Sequence, residues 1–153
     1  MVIMNISKKL TQLTGNCHCG NVEFYFYTDK VVGELPVRAC TCTFCIKHAA
    51  RYTSDPAGHI KVVIHESKFL SSYRHGTGTA DFLVCSRCGV CPLVLCLIND
   101  ELHAVVNINA LEDIAMFTQP AKSVDYDGET QQQRLVRRKK NWISQVTVSL
   151  DTH

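Results

Sequence analysis

Apolar and polar positions along this chain alternate mostly in twos. Val22, Phe24 and Phe26 alternate with Glu23, Tyr25 and Tyr27, the period of a strand with one buried face. A shorter strand is predicted over residues 10–14. The stretch between them, GNCHCGN at 15–21, is dense in turn residues, which predicts a hairpin with Cys17 and Cys19 at its turn. After a break at 54–58 (SDPAG), residues 59–65 (HIKVVIH) and 68–74 (KFLSSYR) read as strands. Residues 80–84 form a strand leading into Cys85. Residues 90–98 and 102–108 then form an apolar hairpin around Asn99-Asp100.

Helical signals are fewer. Residues 44–50 suit one or two helical turns, and 128–142 is polar and rich in helix formers. Residues 146–150 (VTVSL) read as a last strand or a disordered tail, and residues 1–9 as a loosely held lead-in. There is no internal repeat. Many short strands and little helix make the chain mainly β, with a short C-terminal helix.

Composition narrows the functional classes. At 153 residues the chain is one domain with enough length for a real core. A net charge of +2 gives no bulk-charge argument for a nucleic-acid or membrane partner. The longest apolar run, residues 90–98, contains a proline and falls far short of the roughly 18 residues of a membrane span. The N-terminus has no hydrophobic signal core or cleavage site, so a cytoplasmic protein is expected.

The nine cysteines change the picture most. In a reducing compartment, clustered cysteines read as metal ligands or redox thiols. Seven fall in three tight clusters: Cys17 and Cys19; Cys40, Cys42 and Cys45; Cys85 and Cys88. The Cys85-Ser86-Arg87-Cys88-Gly89 knuckle supplies two ligands from one turn. Cys17 and Cys19 are natural donors of two more, closing a four-thiolate structural site. Cys40, Cys42 and Cys45 are then one ligand short, the pattern of a catalytic zinc with an open position. Two alternatives stay open at this point. Cys40 and Cys42 can pair instead with Cys85 and Cys88, or the Cys-x-x-Cys can be a disulfide switch. Cys91 and Cys96, five apart in the apolar strand, are expected to be buried and to point to opposite faces.

The three motifs in order are Gly15-Asn16-Cys17-His18-Cys19-Gly20-Asn21-Val22, Cys40-Thr41-Cys42-Thr43-Phe44-Cys45 and Cys85-Ser86-Arg87-Cys88-Gly89. In this order they resemble the glutathione-dependent formaldehyde-activating enzyme family, to which centromere protein V is similar. The resemblance covers roughly residues 10–115, leaving 116–153 as an extension. It implies a β-tent of small antiparallel sheets around two zinc ions per chain. It also implies a structural zinc on Cys17, Cys19, Cys85 and Cys88, and a catalytic zinc on Cys40, Cys42 and Cys45. The activity implied is a carbon–sulfur lyase that joins glutathione and formaldehyde, with a small-molecule thiol and aldehyde as partners. Thr41 stands where members often have His or Asn, and residues 46–50 (IKHAA) lack the glycine-containing run common after the third cysteine.

In a mechanism of this kind His48, three residues after Cys45, is a candidate proton donor. Its other reading is an exposed helix residue. Lys47 and Arg51 can meet ligand carboxylates or be solvated surface charge, and His18 is expected to face solvent. The competing class is a non-catalytic zinc-stabilised binding module. There the run Arg137-Arg138-Lys139-Lys140 would touch nucleic acid or an acidic partner, although such a run is more often a solvated face.

Overall fold

The computed structural model describes residues 9–151, and the expected lead-in at 1–9 lies almost wholly outside them. The chain is mainly β. Strand β1 (Thr11–Asn16) pairs antiparallel with β2 (Val22–Thr28), from Thr11↔Thr28 to Asn16↔Glu23. This is the expected hairpin, with β1 shifted toward the turn because pairing runs on to Asn16 while Leu10 is exposed. β2 alternates buried and half-buried residues along its whole length. Its other edge pairs antiparallel with β5 (His59–Ile64). A last strand, β11 (Gln145–Leu150), lies parallel to β5 and completes a four-stranded sheet. Residues 146–150 are therefore strand, not tail.

The second sheet has seven strands. They are β3 (Arg38–Cys40), β4 (Tyr52–Thr53), β6 (Leu70–Tyr73), β7 (Ala80–Cys85), β8 (Leu93–Ile98), β9 (Glu101–Asn107) and β10 (Lys122–Val124). Their order is β10-β3-β4-β9-β8-β7-β6, with β10 parallel to β3. The β8–β9 turn is the expected one: Asn99 and Asp100 both take positive φ, 50° and 63°, as a two-residue hairpin turn requires. Pro92 delays the start of β8 to Leu93, three residues later than the apolar run suggested. Likewise a 3-10 turn at Ser67–Phe69 takes the first part of the expected strand 68–74.

Around β8, Leu97 apart, the sheet is covered on both faces, which explains why that strand is apolar without alternation. Leu93 and Leu95 join Phe24, Phe26, Ile60 and Val62 in a core between the two sheets. Val94, Cys96 and Ile98 point the other way, into a second core with Tyr52, Phe82 and Trp142. Two helices border that second core. One is α1 (Thr43–His48), ended by Ala49 in the left-handed region at φ 51°. The other is α2 (Gln131–Asn141), which opens on a reciprocal cap between Thr130 and Gln133. Cys91 precedes β8 rather than lying in it, so the expectation that Cys91 and Cys96 face oppositely fails. Both are buried in the second core. No helix among the described residues is long and apolar enough to cross a membrane.

Candidate metal centres and the adjoining cavity

Two knuckles of the same design build the first centre. Cys17 N–H donates to Val22 O (2.9 Å) and Cys85 N–H to Val90 O (3.0 Å), so each loop folds back five residues on. Gly20 and Gly89, at φ 83° and 82°, make that return possible, and each donates its N–H to the carbonyl of the knuckle's first cysteine. The result brings together Cys17, Cys19, Cys85 and Cys88, whose sulfurs all lie within 4.8 Å of one another. Cys17–Cys19 and Cys19–Cys85 are 3.7 and 3.5 Å apart. Four sulfurs about 2.3 Å from one tetrahedral ion would sit about 3.8 Å apart, so the four fit a metal.

The surroundings of these sulfurs are already polarised. Val22 N–H donates to Cys17 Sγ (3.3 Å) and Arg87 Nε to Cys19 Sγ (3.4 Å). The Arg87 bond holds the exposed Cys19 thiol down at about 6, whereas burial pushes Cys17 up to about 12. His18 between them is exposed, as expected.

The second centre belongs to the other core. Cys40 ends β3, Cys42 caps α1, and Cys45 lies on its first turn. Cys42 Sγ accepts the Cys45 N–H at 3.4 Å. These three sulfurs also lie within 4.8 Å of one another, and no fourth Cys, His, Asp or Glu joins them among the described residues. The pairing of Cys40 and Cys42 with Cys85 and Cys88 is not the one the fold makes. A hydrogen bond from Cys45 holds the Cys40 thiol down at about 6, and that same bond with burial pushes Cys45 up. Tyr52 Oη lies 3.4 Å from Cys45 Sγ, and both residues are buried. All nine cysteines are free thiols. Three-thiolate and four-thiolate sets suit soft or borderline metals such as zinc, copper(I) or iron.

The three thiols open on a cavity of about 490 Å³. Its wall includes Tyr52, His75, Tyr126 and Trp142, and four arginines, Arg38, Arg134, Arg137 and Arg138. His48, the expected proton donor, does not line it. The His48 ring is exposed and rests on Phe44, 4.5 Å between centroids, one helical turn back. Lys47 is exposed outside the cavity, and Arg51 bonds Asn109 Oδ1 at 3.1 Å.

Arg137 and Arg138 do not form a solvated face. Arg137 clamps Glu129 through both carboxylate oxygens and stacks 3.4 Å over Tyr126. Arg138 is 7% exposed, and only Lys139 and Lys140 of the basic run face solvent. Sequence reasoning missed His75 and Arg38 outright. His75 is stacked among Phe44, Tyr73 and Phe82, and its Nε2 is buried without a hydrogen-bond partner. Burial, helped by Arg134 and Arg138, lowers its pKa. Arg38 had a readable signal: two residues before Cys40 on a strand, it must share that cysteine's face.

No family model matches the chain. The chain is similar to a Rhodobacter sphaeroides protein whose crystal structure was a structural-genomics target. The two are 31% identical, with a TM-score of 0.46, over 65% of this chain and 87% of that one.

Proposed function

We propose that this chain is a zinc-dependent enzyme of the carbon–sulfur lyase type. It would add a glutathione-like thiol to a small aldehyde such as formaldehyde, or reverse that addition. The observation that carries the reading is the asymmetry between the two thiol groups. One is a closed set of four, and the other is a set of three on the wall of a cavity. The order of the three cysteine motifs, with its family resemblance, supports the same assignment.

Cys17, Cys19, Cys85 and Cys88 would hold a structural zinc, and Cys40, Cys42 and Cys45 a second. Zinc on three thiolates suits holding an incoming thiol as its thiolate, the nucleophilic form. The reaction forms one S–C bond and opens the aldehyde C=O to an alcohol, and the proton the thiol releases ends on that oxygen. His75 replaces His48 as the proton carrier. It lines the cavity, burial lowers its pKa, and its Nε2 has no hydrogen-bond partner. Tyr52 orients Cys45 through their hydrogen bond. A cavity of about 490 Å³ is far larger than formaldehyde needs, so most of it would take the thiol's body. The free thiols suit a reducing compartment such as the cytosol.

Thiol–aldehyde adduct formation in wild type and Cys42→Ser, each zinc-loaded, tests the reading. Loss of turnover in a folded Cys42→Ser protein is expected. Unchanged turnover would overturn it.

A further inference from the structure

Two arginines on the cavity wall, the buried Arg138 and the half-buried Arg38, have no carboxylate partner among the described residues. Arg38, on β3, donates from Nη1 to Ser54 Oγ (2.9 Å), and Ser54 in turn donates to Asn141 O (2.7 Å). Arg138, on α2, donates from Nη1 to Thr79 Oγ1 (2.8 Å) and faces Cys96 Sγ at 3.6 Å, with its guanidinium 5.1 Å over the Trp142 ring. Its Nε is buried with no acceptor. Among the described residues neither arginine pairs with a carboxylate. Glu129 is already engaged by Arg137 at 3.0 Å and lies 3.9 Å from Arg134. Asp125 and Asp127 also line the cavity, but both are exposed, and Asp125 Oδ1 accepts the Asp127 N–H.

Burying an unpaired guanidinium is costly, and an anion entering the cavity would supply the missing partner. A planar fork of N–H donors matches the two oxygens of a carboxylate or the face of a phosphate. The concavity and its volume suit a small molecule rather than a polymer. We propose that the cavity beside the three thiols is a binding site for an acidic small molecule, with Arg38 and Arg138 taking its oxyanion. The Arg137–Glu129 clamp, seated on Tyr126, holds the wall rigid and leaves those two arginines for the ligand. The anion site stands whether or not the thiols perform addition chemistry. If they do, the acid group can belong to the thiol or to the aldehyde.

Equilibrium dialysis of the full chain against radiolabelled succinate and inorganic phosphate at low salt tests the site. Wild type should bind at least one of them. Arg38→Gln and Arg138→Gln should each weaken that binding about tenfold or more, the usual effect of losing a charged hydrogen-bond donor. Arg51→Gln, at a half-buried arginine outside the cavity that bonds Asn109, should bind as wild type does. If Arg138→Gln fails to fold, Arg38→Gln decides alone. Binding of neither anion by wild type, or equal losses in Arg38→Gln and Arg51→Gln, would overturn the proposal. Two kinetic arms then locate the acid group: an acidic thiol with formaldehyde, and a neutral thiol with glyoxylate. In Arg38→Gln, KM should rise only for the reactant carrying the carboxylate. Anion binding with no addition in either arm would leave the anion site standing and remove the lyase reading.

Discussion

Removing one oxygen atom from Tyr52 should separate the two metal centres. Tyr52 Oη lies 3.4 Å from Cys45 Sγ, and the residues are only 7% and 3% exposed. The hydrogen bond to Cys40, with burial, already pushes the Cys45 thiol up, and the Tyr52 hydrogen bond is what opposes them. Metal binding needs Cys45 as thiolate. Tyr52→Phe keeps the ring in its core and deletes only the donor. A hydrogen bond to a charged group contributes about 1.5–3 kcal/mol, and each 1.4 kcal/mol is tenfold in affinity. The three-thiol site should therefore lose about 10–100-fold in metal affinity, while the four-thiol site keeps its own. Competitive titration with a graded series of chelators resolves the two affinities. Equal affinity in wild type and variant at the weaker site would refute the reasoning, as would a parallel loss at both sites.

Three further outcomes follow from the same structure. Cys88→Ser should abolish the four-thiol centre and unfold the chain at ordinary temperature. Structural zinc in small domains contributes about 10–16 kcal/mol, against a domain stability of roughly 5–15 kcal/mol. Cys42→Ser should melt near wild type, and equal melting temperatures for Cys88→Ser and wild type would refute the assignment. His65 bridges Glu23 (3.1 Å) and Asp151 (2.7 Å), which raises its pKa, Glu23 contributing most. A raised folded-state value means the contribution is full below the unfolded histidine value near 6.5 and is lost as pH rises through the folded value. Amide exchange along β11 should therefore quicken as pH climbs through that window beyond its intrinsic pH dependence, and His65→Gln should flatten the excess.

Much of this fold was legible because its signals were local. The alternation in β2, the Asn99-Asp100 turn and the two glycine-closed knuckles each act within a few residues. The grouping of Cys17 and Cys19 with Cys85 and Cys88 was legible by counting ligands, since four thiolates close a tetrahedron. Strands β3, β4 and β10 were missed because two or three residues cannot show a period. The cavity was missed for a different reason. Arg134, Arg137 and Arg138 look like a charged helix face in sequence, and only the packing of Trp142 and Tyr126 turns that face inward. His48 and His75 show the same limit. Spacing from Cys45 favoured the first, whereas the hairpin between β6 and β7 delivers the second to the cavity.

The chain order of the cavity wall has a consequence for biosynthesis. All seven clustered cysteines are encoded by residue 88, whereas α2 begins at Gln131 and β11 ends at Leu150. Chains emerge from the ribosome N-terminus first. The thiols are therefore complete, and competent to take up metal, before α2 closes the cavity beside them and before β11 seals the edge of β5. A nascent chain stalled short of α2 would carry its metal ligands without its arginine wall.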